Sequence, residues 1–116
     1  MQTLIERAIE LFNQAKYYEA HEVLEEYWKQ LEPSSYKQRI QGIIQCAAAL
    51  HLLQENRVIG AKKVWLRAQT SFTNNTNNMD NMGLDNIDLD KLIHDIYKIF
   101  DGFEEGNEIN VRISFL

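Results

Sequence analysis

Cysteine and proline each occur once among 116 residues, and glycine five times. The lone Cys46 excludes an intrachain disulfide. Set inside an apolar run, it reads as a small core residue in a reducing cytoplasm. Basic residues are also scarce: 12 Lys and Arg stand against 17 Asp and Glu, a formal net charge of −5. Nucleic-acid surfaces draw their affinity from cations set against phosphates, so no nucleic-acid partner is expected, and anionic membrane is disfavoured on the same ground. The opening residues, Met1-Gln2-Thr3-Leu4-Ile5-Glu6-Arg7, mix acid and base early, and no apolar segment reaches the length of a bilayer span. Neither signal peptide nor transmembrane helix is expected, which points to a soluble, cytoplasmic protein.

What is present is an ordinary globular balance, 45% hydrophobic and 25% charged, in a length that suits one domain over residues 1–116. Breakers are rare before residue 74, and apolar residues recur there at helical spacing. A first helix is expected over about 3–14, with Thr3 and Glu6 as a capping box. A second follows over about 17–31 and stops before Pro33. Ser35 with Gln38 offers a capping box for a third over about 36–55, Asn56 a left-handed stop, and a fourth runs over about 58–73. An Asn-rich stretch, residues 74–86, reads as a mobile linker. Asp88 caps a fifth helix, about 89–101, and a tail occupies 103–116. Within it, EINVRISF puts Ile109, Val111, Ile113 and Phe115 on one side of a strand period. The expected fold is all-α, an antiparallel array of two helix hairpins plus a fifth helix, with room for a short C-terminal strand.

A weak internal echo sits at an offset of 41: Leu11, Lys16, Ala20 and Val23 align with Leu52, Arg57, Ala61 and Val64. Both windows read as helix, tight turn, helix, in the manner of tetratricopeptide-like hairpins whose small residue near the turn admits close helix approach. Convergent packing needs would produce the same pattern.

On the second helix, the face through His21 also holds Tyr17, Leu24, Glu25, Trp28 and Leu31, while Glu19, Glu22, Glu26, Lys29 and Gln30 lie opposite. His21 and Glu25 therefore sit amid an apolar stripe, where an unpaired carboxylate would cost several kcal/mol. The third helix is apolar almost all round between residues 40 and 53; Gln41, Gln45 and His51 are its strongly polar side chains. Gly42, Cys46 and Ala49 form a small-residue face. The polar groups of these two helices would satisfy one another if they converge.

HEVLEEYW, then QGIIQCAAALH, then ENRVIGAKKVWLRA, resembles the prokaryotic family catalogued as domain of unknown function 309. The family's His-x-x-x-Glu-x-x-Trp core falls on His21, Glu25 and Trp28. Its second block falls on Gln41, Gly42, Ile43, Ile44, Gln45, Ala47, Ala48 and His51, and its later positions on Asn56, Gly60, Ala61, Arg67 and Ala68. The resemblance covers roughly residues 8–70, leaving the linker and tail outside. Ala15 and Glu55 stand where the family often has glycine in its turns. A compact helical fold is what the resemblance implies; the family name carries no activity.

Four readings of the cluster follow. His21 and Glu25 at i and i+4, with His51 as third ligand, would hold a divalent metal and support a metal-dependent, hydrolase-like enzyme. A carboxyl beside a histidine suits general acid–base work, though no nucleophile or phosphate loop accompanies it. A binding pocket for a small molecule or protein partner would have Trp28, Tyr17 and Tyr18 as walls and His21, Glu25 and Gln45 at its base. A closed structural network would merely fix helix register. The binding and structural readings outweigh the enzymatic ones. Trp65 reads as packing and His94 as surface. The apolar side of the tail can cover the helices or pair with its copy, and a homodimer is the expectation, formed through the tail or through helix faces.

Overall fold

Thr3 caps the first helix by a reciprocal pair of bonds. Its hydroxyl accepts from the Glu6 amide at 3.2 Å, and the Glu6 carboxylate accepts from the Thr3 amide at 2.9 Å. This is the capping box read from the sequence, and it leads into α1, Leu4–Asn13. The computed structural model describes residues 2–73, 87–104 and 108–115; the Asn-rich stretch 74–86 lies outside them. Beyond α1 run α2 (Tyr17–Lys29), α3 (Ser35–Gln54), α4 (Val58–Thr73) and α5 (Leu89–Asp101). The N-cap of α3 is Ser34, one residue before the expected Ser35, and it accepts from Lys37 N–H without a reciprocal partner. Asp88 caps α5 as expected, accepting from Lys91 N–H.

The two turns that close the hairpins repeat each other bond for bond. In the first, Ala15 N–H donates to Phe12 O and Lys16 N–H to Leu11 O; in the second, Asn56 N–H donates to Leu53 O and Arg57 N–H to Leu52 O. Both are Schellman closures, and both place a non-glycine residue in the left-handed region, Ala15 at φ 62 and Asn56 at φ 61. The offset is the 41 residues of the sequence echo. Its small residues, Ala20 and Ala61, are fully buried one turn further on. Asn56, not Glu55, is thus the counterpart of Ala15, because Glu55 is still the C-cap. Gln54 ties one turn to the other by donating to Ala15 O at 3.0 Å.

Each helix packs on the next from α1 to α4, with α3 at the centre. Among α3 residues, Gly42, Cys46, Ala49 and Leu53 are buried, and a methyl at Gly42 would run into the Phe72 ring of α4. Burial pushes the Cys46 thiol pKa up, as expected of an inert core cysteine. Leu92 and Ile96 of α5 join the same core, and Trp65 stacks on Phe100 with ring centres 5.9 Å apart.

The tail lies over the first hairpin. Ile109, Val111 and Ile113 are buried, whereas Phe115 is exposed. Its backbone is held by side chains: Tyr17 Oη donates to Val111 O and accepts from Val111 N–H, and Asn13 brackets Ile113 in the same way. Among the described residues there is no sheet. The strand period yields an extended segment with one antiparallel bridge, Ile87 to Phe115. No helix of the described residues is long and apolar enough to cross a membrane.

Candidate functional site

The buried stripe of α2 is Tyr17, Ala20 and Leu24. One residue advances about 100° round a helix, so Glu25 stands about 100° from Leu24 and His21 about 60°. Both lie at the edge of the stripe and not within it. The Glu25 side chain is 47% exposed and that of His21 25%, which corrects the expectation of a buried carboxylate. His21 Nε2 lies 3.3 Å from Glu25 Oε1, a pair across one helical turn.

Facing this edge, α3 presents the stripe of Gln41, Ile44, Gln45 and Ala48. The two sides enclose a cavity of about 310 Å³ lined also by His21, Glu25, Trp28 and Lys29. Five of the six residues singled out from the sequence therefore share one cavity. His51 is the exception. Its ring sits 5.2 Å from that of Tyr18 and its Nε2 3.6 Å from Glu55 Oε1. Tyr18 in turn stacks beside His21 with ring centres 6.2 Å apart, so one tyrosine neighbours both imidazoles. Tyr17 is not a wall of this cavity; it points to the tail. Among the described residues no group of three or more His, Cys, Asp or Glu side chains is placed to hold a metal ion.

The cavity continues on both sides. Gln41 and Gln45 also line a concavity of about 350 Å³ whose far wall is Arg67, Thr70 and Ser71 of α4. Trp28 and Gln41 line a third, of about 430 Å³, beneath Pro33 and Lys37. Shared residues make the three one groove, floored by α3 and walled by α2 and α4. Ser71 Oγ donates to Gln45 Oε1 at 2.7 Å and fixes that amide. Lys37 Nζ lies 4.2 Å over the Trp28 ring, a cation–π contact, and donates to Leu31 O. Sequence periodicity missed Lys37 and Ser71, whose roles depend on neighbours from other turns and helices.

Two residues that line this groove each carry a buried polar atom with no hydrogen-bond partner among the described residues: Trp28 Nε1 and His21 Nδ1. The indole nitrogen can only donate. Both atoms lie beneath the cavity surface, and beside them Gln41 and Gln45 bring carboxamides that can accept and donate.

A helical-hairpin protein with a groove along its central helix is the class that fold and site define. The chain belongs to the family described as domain of unknown function (DUF309), whose model matches residues 5–64. It is also similar to the uncharacterized protein YpuF of Bacillus subtilis (strain 168), 31% identical over 94 residues, which is 81% of this chain and 54% of that protein. The chain spans about half the length of this curated relative. The matched region holds the groove residues of α2 and α3; Arg67 lies just past its end.

Proposed function

We propose that the chain is a binding module, and that the groove between α2, α3 and α4 receives a ligand through its polar atoms. The observation that carries this is the unpartnered pair, Trp28 Nε1 and His21 Nδ1. A closed structural network exists to satisfy its own members, because a buried donor or acceptor left unmade costs about 1–3 kcal/mol. Here two members are left open among the described residues, and the side chains that carry them line a cavity of about 310 Å³, space enough for a ligand group. His21, Glu25, Trp28, Gln41 and Gln45 are the binding residues on this reading; His51 supports Tyr18 from behind.

Trp28→Phe tests it, because the change keeps an aromatic ring and deletes the N–H. A thermal-shift screen of polar small molecules and short peptides is expected to find ligands that raise the melting temperature of the wild type and not of the variant. Without ligand, the variant is expected to be as stable as the wild type or more so. A screen with no hits, together with a variant clearly less stable than the wild type, would return the cluster to a structural role.

A further inference from the structure

The groove has a length, a charge and a hydrogen-bonding pattern. From Gln38 to Ala48 its floor runs about 15 Å along α3, at about 1.5 Å per residue. That is the span of four to five residues of extended chain at about 3.3 Å each. Gln41 and Gln45 stand about 6 Å apart along the axis, close to the roughly 6.6 Å between same-side residues of an extended peptide.

Charge separates the groove from the rest of the molecule. Lys29, Lys37 and Arg67 line it, against Glu25 as the carboxylate, which already stands beside His21. On a chain of net charge −5 this is a local reversal of sign. Such a reversal steers and orients a partner of opposite charge.

The hydrogen-bonding groups suit an amide backbone. The carboxamides of Gln38, Gln41 and Gln45 accept and donate along the floor, one set of groups for the N–H and the carbonyl of a peptide alike. The protein already grips one extended segment by this means. Asn13 accepts from Ile113 N–H at 2.6 Å and donates to Ile113 O at 3.1 Å, so one carboxamide satisfies both backbone groups of a residue in the tail.

We infer that the groove takes an extended, acidic peptide segment of a partner protein. The inference rests on the binding-module reading and deepens it by naming the ligand class. An arrayed library of capped pentapeptides, probed with the full chain, tests it, with an eight-residue oligothymidylate as a second polyanion. Peptides rich in Asp and Glu are expected to be retained. Their affinity is expected to fall roughly tenfold in Gln41→Ala, the usual effect of losing a well-placed hydrogen bond. It should also fall severalfold as sodium chloride rises from about 0.05 to 0.5 M. Gln30→Ala, on the outer face of α2, should change nothing. Selection of basic or apolar peptides, binding indifferent to Gln41→Ala, or preference for the oligonucleotide would overturn the inference. So would retention of no peptide at all. If small molecules still raise the melting temperature through Trp28, the binding module stands and only its ligand class falls; if they do not, both fall.

Discussion

The Tyr17 hydroxyl donates to the carbonyl and accepts from the amide of Val111, at 3.0 and 2.9 Å, across 94 residues of sequence. One phenol thereby replaces the neighbouring strand that an extended segment needs. Tyr17→Phe leaves both Val111 groups buried and unmade, so it is expected to cost about 2–3 kcal/mol in urea unfolding. The Val111 amide should lose protection from hydrogen exchange. Burial holds the Tyr17 pKa above its ordinary 10.0, with the Val111 N–H acting the other way. A raised folded value means its contribution is whole below pH 10 and lost as pH rises through the folded value. The variant should lack that alkaline loss; an identical alkaline profile would show that the hydroxyl does not hold the tail.

Ala15 and Asn56 occupy the same left-handed position of two equivalent turns, at different cost. An L-residue with a β-carbon gives up about 1–2 kcal/mol there, asparagine less, and glycine almost nothing. Ala15→Gly is expected to stabilise the chain by about 1 kcal/mol in chemical unfolding, after the added freedom of the unfolded glycine is subtracted. Asn56→Gly should gain only a few tenths of a kcal/mol, since asparagine tolerates this conformation far better than alanine. A loss of stability in Ala15→Gly would mean that its methyl packs better than the backbone is strained.

Much of this architecture was legible because caps and turns are written locally. Thr3 with Glu6, Asp88, and Asn56 each act within four residues of themselves, and all three do in the structure what their sequence neighbourhood predicts. Ser34 and Ser35 are chemically equal as caps, and only the backbone at Pro33 and Ser34 decides between them. The site was legible as a set of residues, since a shared helix face brings His21, Glu25 and Trp28 together and a second face brings Gln41 and Gln45. Its depth was not. A stripe of about 100° has edges, and periodicity cannot distinguish a residue at the centre from one at the rim. The anchoring of the tail by Asn13 and Tyr17 carries no local signal, because each partner lies about a hundred residues away.

Glu25 shows the consequence of that depth. A buried carboxylate would make Glu25→Ala cost several kcal/mol. At 47% exposure, beside a histidine across one turn, it is a surface contact and not a buried one. Glu25→Ala is expected to cost under about 1 kcal/mol, near the value for Glu26→Ala on the outer face. Equilibrium unfolding of both variants checks this. A gap above about 2 kcal/mol would mean that the carboxylate supports more than His21.

Glu6 makes the acid side of the stability curve specific. The Thr3 amide, and then its hydroxyl, hold the Glu6 carboxyl below its ordinary 4.5. A lowered folded value gives stability that is present above the unfolded value and lost as pH falls through the folded one. Glu6→Gln keeps the shape and removes the charge. The difference between wild type and variant should be constant near neutrality and disappear below pH 4.5. Melting curves at matched ionic strength would read it, and a difference that persists in acid would assign the effect to shape and not to charge.

Gly42 and Phe72 set the distance between α3 and α4. A β-carbon at residue 42 meets three ring atoms of Phe72, so Gly42→Ala must displace the ring or part the helices. Overpacking of this kind costs about 1–3 kcal/mol. The same interface fixes the groove, because Gln45 on α3 accepts from Ser71, the residue before Phe72. Gly42→Ala is therefore expected to lower stability and, on the proposed binding role, to weaken ligand binding in the groove, although Gly42 does not line it. Phe72→Leu supplies the control: the smaller side chain makes room, so Gly42→Ala should cost less in that background than in the wild type. Additive costs in the double-mutant cycle would show that the two residues are not coupled and that another contact spaces the helices.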